Sequence, residues 1–280
     1  MLFSTFFFAV MNVLIKFIPA IPAMEIVFFR CLTSMAICFV VIRRAKVDWQ
    51  GNSRVLLLLR GTFGTTALYL FFITLQNVPL ASGVTISYLS PIFTTVIAIF
   101  LLKEKVFPMQ WLFFALSIIG VMVMKGFDTR IPLTYLLTGV FSGLFSALAY
   151  NMVRSLKGKE HPLVVVLHFQ LVGVVVGFIV TLFYWKMPTA FEALLLLGIG
   201  LATHLGQVFL TKALQAEAVA KVSILNYAGI LYALIFGWIF FAESYSMQTF
   251  IGIFLVIIGV VFSIIYNNRK AEMIDENTVG

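Results

Sequence analysis

The sequence predicts an all-α membrane protein whose ten transmembrane helices form two inverted five-helix repeats. Three observations carry this reading. Hydrophobic residues make up 62% of the 280 residues and charged residues only 11%, with a mean hydropathy of +1.08. Apolar runs long enough to cross a bilayer recur ten times, and the chain resembles itself when it is shifted by 139 residues. A soluble domain carries about 25% charge because its surface must meet water, and this chain has too few polar residues to cover a globule. The net charge of +8 does not indicate nucleic acid, because the Lys and Arg residues are scattered through short loops rather than gathered on one face.

A spanning helix needs about 20 mostly apolar residues, and each span is delimited by turn or charge signals. The first, 1–18, has no Lys or Arg ahead of its apolar core. It therefore reads as a retained helix rather than a cleaved signal, closed by Pro19–Pro22. The second, 24–42, stops at Arg43-Arg44-Ala45-Lys46, and the third, 55–76, stops at Asn77-Val78-Pro79. The fourth, 80–102, contains Pro91, which lacks a backbone donor and bends its helix. The fifth and sixth cover 107–125 and 132–153. Lys157-Gly158-Lys159-Glu160 separates the sixth from the seventh, 162–184. The eighth, ninth and tenth cover 190–212, 219–241 and 247–267, and a polar tail, 268–280, is expected to be disordered. No loop is long enough for a soluble domain.

Cytoplasmic loops carry the excess of Lys and Arg. With the N-terminus inside, fourteen basic residues fall on the inner side and four (Lys16, Lys125, Arg130, Lys186) on the outer side, with Arg30 inside the second span. Both termini are therefore expected to be cytoplasmic. Cys31 and Cys38 share one helix, too far apart along its axis to bridge, and no Cys/His cluster suggests a metal or redox group.

Pairing 1–126 with 140–265 without a gap gives twenty identities. The informative ones are Asn12/Asn151, Gly61/Gly200, Gln76/Gln215, Ala81/Ala220, Tyr88/Tyr227, Glu104/Glu243 and Gly120-Val121/Gly259-Val260. A constant register across five helices divides the chain into a first repeat, 1–126, and a second, 132–267. Five crossings place the start of the second repeat on the opposite side, so the two are inverted. Inverted repeats are a transporter architecture in which the site lies near the midplane between them.

Several local patterns fit one family. They are Phe28-Phe29-Arg30 in the second helix, Leu59-Arg60-Gly61 opening the third, and Ala81 with Tyr88-x-x-Pro91 in the fourth, followed by Glu104. In the second half come Lys212-Ala213-Leu214, Asn226-Tyr227, Phe241-Ala242-Glu243 and Ile258-Gly259-Val260. In order and spacing these resemble the drug/metabolite transporter superfamily, specifically its EamA-type members, across essentially the whole chain. The resemblance implies a multi-pass carrier of the bacterial inner membrane with a central cavity and alternating access. It implies a small substrate such as an amino acid, an S-adenosylmethionine-like compound, a sugar or a drug.

Charges within a bilayer are costly and mark candidate function. Arg30 could anchor a substrate carboxylate or phosphate through its planar fork of donors; the competing reading is a structural arginine that satisfies helix-end carbonyls. Arg60 lies nearer the cytoplasmic end, where it could snorkel. His204, beside Thr203 and Gln207, is a better cavity candidate than His168, although a lone histidine among apolar residues more often packs. Tyr88 and Tyr227 are repeat mates near mid-helix, with Ser87, Ser90 and Thr94 beside one and Ser223 and Asn226 beside the other. These tyrosines, with Ser87 and Asn226, are candidates to line a cavity. Asn12 and Asn151 are divided between lining it and bridging helices. Glu104 and Glu243 could gate or couple protons, or pair with local charge and cap a helix. Gly139-x-x-x-Gly143 and Gly173-x-x-x-Gly177 allow close helix approach.

The function expected is secondary active transport of a small metabolite, coupled to a proton or a counter-substrate. No Gly-x-x-x-x-Gly-Lys loop offers a nucleotide site, and no cofactor is indicated. The alternatives are a membrane-embedded enzyme or a regulatory membrane protein. The enzyme would need a nucleophile with a base, or paired carboxylates, and neither motif appears. The partners implied are the lipid bilayer and a small-molecule substrate, with a second copy of the chain as a further candidate and no nucleic acid.

Overall fold

The structure, a computed structural model, describes residues 2–101, 108–127, 130–216 and 228–279. Every described element is an α-helix, and among these residues no strand occurs. The helices are α1 (Leu2–Lys16), α2 (Ala23–Arg44), α3 (Arg54–Asn77), α4 (Leu80–Ser87), α5 (Ser90–Leu101), α6 (Pro108–Phe127), α7 (Leu133–Leu156), α8 (Pro162–Tyr184), α9 (Ala190–Ala216), α10 (Ala228–Phe241) and α11 (Met247–Val279). Among the described residues six stretches are long and apolar enough to cross a membrane: α2, α3, α7, α8, and the segments Ala190–Phe209 and Met247–Tyr266.

Prolines set many of the starts. Pro22, Pro79 and Pro132 directly precede α2, α4 and α7, and Pro162 is the first residue of α8. A proline there costs nothing, since the first backbone donors of a helix have no intrahelical acceptor. His161 caps α8 by accepting from Leu163 N at 3.2 Å. Gly158, at φ 76°, makes the turn before α8 in the left-handed region that glycine enters without strain.

Two features differ from the sequence expectation. The fourth span is two helices, α4 and α5, interrupted at Tyr88–Leu89 just ahead of Pro91, whose ring nitrogen cannot donate back to Ser87. The polar tail continues α11 as helix to Val279, its Lys270-Ala271-Glu272-Met273 run being composed of strong helix formers.

The bundle packs α3 against α7, α2 against α8, α1 against α9, α6 against α11 and α4 against α10. Large apolar side chains such as Phe3, Trp111, Leu182, Phe183, Trp238 and Phe254 are exposed on its outside, as a lipid-facing surface requires. Small residues mark the seams. A Cβ at Gly61 would lie 2.5 Å from Val172, and one at Gly200 would lie 2.5 Å from Thr33. A Cβ at Gly120 would lie 2.7 Å from the Gly252 carbonyl oxygen, and one at Gly259 would lie 2.6 Å from that of Phe113. Gly173 and Gly177 bring α8 onto Cys31 and Phe28 of α2.

Candidate functional site

The largest fully buried side chain is Arg30 of α2, at 2% exposure. Its Nε donates to Thr203 Oγ1 on α9 at 3.0 Å, and Nη1 lies 3.7 Å from Cys31 Sγ. Thr203 is itself oriented by Met11 Sδ of α1, 3.0 Å away. The Arg30 guanidinium carbon is 5.8 Å from the ring centroid of Phe169 on α8, and that of Arg60 on α3 is 4.3 Å from the same ring. Gly64 makes room for this meeting: a Cβ there would collide with Arg60 Nη1 and come within 2.8 Å of the Phe169 ring.

Among the described residues no carboxylate joins the cluster. Among the described residues the ion pair is Lys16–Glu243, elsewhere in the bundle. Arg60 Nε, Thr65 Oγ1 and Gln170 Oε1 are buried there without a hydrogen-bond partner, although Gln170 Nε2 donates to Ser34 Oγ at 3.0 Å. Guanidinium groups stay charged in proteins. A cation over a ring recovers about 0.5–2 kcal/mol, whereas each unpartnered buried polar group costs about 1–3 kcal/mol. Four helices thus converge on two cations and a neutral ring with unused donors.

A second cluster surrounds Glu243, which follows α10 and is buried. Its carboxylate pairs with Lys16 at the end of α1 and accepts from Leu80 N at the start of α4 (3.0 and 2.8 Å) and from the Tyr245 hydroxyl. The free N–H groups at a helix start carry partial positive charge, so a carboxylate there is favourable. Lys16 Nζ also donates to Val78 O at 2.6 Å, and Arg130 Nη2 donates to Ser244 O at 2.7 Å while lying over the Tyr245 ring. Burial and the Glu243 carboxylate hold the Tyr245 phenol well above its ordinary value. The arrangement makes Glu243 the acceptor that joins α1, α4 and the α10–α11 turn. It caps a helix far away in sequence rather than the next one along.

The other candidates are dispersed. Tyr88 is half-buried at the α4–α5 break, with its hydroxyl directed at Gly229 of α10, and Ser87 Oγ bonds locally to Val84 O at 2.7 Å. Asn151 is fully buried and its Nδ2 bridges α7 to α5 through Thr94 O at 3.1 Å, while the Oδ1 atoms of Asn151 and Asn12 have no partner. His204 is partly buried next to Thr203. His168 bonds Val164 O one turn back, at 2.9 Å, which is helix packing. Tyr227, Asn226 and Glu104 lie outside the described residues.

Sequence reasoning passed over Glu25. It is fully buried near the start of α2, with Oε2 accepting from Lys186 N at 3.2 Å and Oε1 unpartnered. It lines a cavity of about 310 Å³ with Tyr69, Gln76, Thr181 and Tyr184. Its position in the first turn resembled an ordinary complement to the helix dipole, and only the packing of α3 and α8 seals it from water. Phe169 was also missed, because a phenylalanine in an apolar helix gives no signal of its own.

An all-helical bundle with an exposed apolar outer surface and a buried arginine defines a multi-pass membrane protein. The chain belongs to the EamA-like transporter family, whose model matches residues 1–125 and again 133–265. It is 31% identical to the Pseudopaline exporter CntI of Pseudomonas aeruginosa over 92% of each chain. It is 32% identical to human Solute carrier family 35 member G1 over 86% of this chain and 71% of that one. The S-adenosylmethionine uptake transporter of Rickettsia prowazekii is 24% identical over 88% of this chain and 84% of the relative. A solved crystal structure superposes with a TM-score of 0.63 at 17% identity, covering 96% of this chain and 94% of that one, which shows the fold alone. The protein is a membrane transporter of small molecules and not an enzyme.

Proposed function

We propose that the chain is a secondary active transporter of a small metabolite, working by alternating access between inverted repeats 1–126 and 132–267. The observation that carries this is the recurrence of contacts under the 139-residue register. Gly61 meets Val172, and their mates Gly200 and Thr33 meet each other; Gly120 meets Gly252, and their mates Gly259 and Phe113 do likewise. The twofold family match, at 1–125 and 133–265, supports the same division.

Two interlocking copies have two equivalent arrangements, related by exchange of the repeats' conformations. In this reading the Lys16–Glu243–Leu80 cluster closes the outer face. The register pairs Glu243 with Glu104 and Leu80 with Val219, so Glu104 takes the corresponding closing role at the inner face in the opposite state. Tyr88, Ser87 and their mates Tyr227 and Asn226 line the path beside the α4–α5 break, with His204, Asn12 and Asn151 deeper along it. The excess of basic residues on one side supports cytoplasmic termini, and the Pseudomonas and Rickettsia relatives support a bacterial inner membrane. A proton or a counter-substrate drives the cycle.

The test is counterflow in proteoliposomes against amino acids, S-adenosylmethionine, nucleotide sugars and cationic drugs. Accumulation of one compound inside preloaded vesicles is expected. Chemical conversion without accumulation would refute the reading.

A further inference from the structure

Arg30 and Arg60 stand within 5.8 and 4.3 Å of one ring, Phe169, and come from two different helices. The bundle has gone to some length to hold them there. Arg30 is set by Thr203, which is set by Met11, and Gly64 is empty of side chain where Arg60 Nη1 and the ring meet. Arg30 uses Nε on Thr203, and Nη1 has only a long contact with a thiol. Arg60 Nε is buried and unbonded, and the Thr65 hydroxyl one turn further along α3 is another unused donor. The titratable groups facing the pair are Cys31 and Tyr150, a thiol and a phenol rather than a carboxylate. Two like charges in a low-dielectric interior repel, so an anion bound by both would be favourable.

We propose that Arg30 and Arg60 with Thr65 form a binding site for an oxyanion, and that the metabolites this transporter moves carry a carboxylate or phosphate. Guanidinium forks match the two oxygens of such groups in a bidentate manner, and both guanidinium groups lie against the same Phe169 ring. The position between α2, α3, α8 and α9 spans both proposed repeats: the two cations come from the first, and the Phe169 ring and the Thr203 hydroxyl from the second. This inference rests on the transporter reading for its consequence, but the site itself can be tested without transport.

The first experiment is thermal unfolding of the detergent-purified full chain in citrate, inorganic phosphate or tetramethylammonium chloride at equal ionic strength. Stabilisation by at least one oxyanion, and none by the cation salt, is expected, and it should vanish in both Arg30→Gln and Arg60→Gln. Equal stability in the three salts overturns the site. So does an oxyanion effect that persists in folded Arg60→Gln, a variant made at the half-buried arginine so that folding survives if Arg30→Gln does not. The same outcome follows if added phosphatidylglycerol reproduces the stabilisation and citrate and phosphate do not, since the pair would then hold a lipid headgroup.

The second experiment uses the compound that moves in counterflow and its analogue with the acid esterified or the phosphate removed. The analogue should lose about tenfold or more in apparent affinity, the scale of a lost charged hydrogen bond. Arg60→Gln should erase that preference, and Arg60→Lys should retain part of it. A transported cation that moves equally well in wild type and Arg60→Gln leaves the transporter standing and removes the anion site.

Discussion

Glu243 illustrates how much a single carboxylate can organise. It serves the Lys16 ammonium, the Leu80 amide and the Tyr245 hydroxyl together. Removing one partner leaves the others buried and short of a bond, so the effects of single substitutions overlap. Lys16→Met and Glu243→Gln should each lower thermal stability, and the double variant should fall short of their sum by about 0.5–3 kcal/mol, measured by unfolding in detergent. Strict additivity would show that the pair is solvated and idle. Tyr245 makes a second residue-scale prediction. Its phenol titrates above the ordinary value of 10.0 because burial and Glu243 disfavour its anion. A raised value means that its stabilisation is complete below pH 10 and is lost as the pH climbs beyond it. Tyr245→Phe should therefore lower Tm by a constant amount from pH 5 to 9, and the deficit should shrink above about pH 10. At this scale the sequence was legible where repetition flagged a residue that the packing then engages, as with Glu243 and Asn151. It was illegible where meaning depends on a partner far along the chain: Lys16 and Glu243 are 227 positions apart, and nothing local marks Phe169 or Glu25.

Helix limits were the most legible feature, because a bilayer imposes a length and Pro, Gly and charge punctuate it. The predicted 162–184 coincides with α8, and 55–76 differs from α3 by one residue at each end. The break at Tyr88–Leu89 could be placed only approximately, since Pro91 identifies the missing bond but not the residue that turns. Which helices touch was not readable from apolar runs that are apolar all round. The seams are set instead by where glycine lets backbones meet, as membrane helices without a hydrophobic drive between them require. At the α6–α11 seam a Cβ on Gly120 would meet the Gly252 carbonyl oxygen and the Val256 nitrogen at 2.7 and 2.8 Å. Backbone atoms cannot rotate away, so the two helices would have to part. Gly120→Val should cost about 1–3 kcal/mol and visibly reduce the folded fraction in size-exclusion profiles. Gly143→Ala should be tolerated, because its new methyl would sit in ordinary contact with Phe93 at 3.5 Å. Equal behaviour of the two variants would mean that the α6–α11 seam is looser than its backbone contacts imply.

At the scale of the whole molecule, the proposed repeat gives the transport reading its sharpest test. Arg30 and Thr203 touch, and so do their mates Phe169 and Gly64, although the chemistry has diverged: one half of the pseudo-symmetric pair gives a polar contact, the other an aromatic ring over a glycine. In the proposed site the chemistry is therefore asymmetric while the contact pattern recurs. That is what a carrier needs when its two end states must be close in energy but its ligand has a head and a tail. If the repeats are inverted, reporters fused at Asp48 and Gly158 should fall on one side of the membrane and those at Thr129 and Met187 on the other. Finding Asp48 and Thr129 on the same side would rule out the five-plus-five inversion. The same geometry predicts a lock. In a background where the buried Cys31 and Cys38 are replaced by serine, Lys16→Cys with Glu243→Cys places two thiols where the ion pair now joins α1 to the α10–α11 turn. A bifunctional thiol reagent bridging them should hold the outer face shut and stop counterflow, and a reducible reagent should allow recovery on reduction. The single-cysteine variants should be insensitive to the same treatment. Counterflow that continues after complete cross-linking, verified by a mobility shift, would mean that this cluster stays closed throughout the cycle and that access alternates elsewhere.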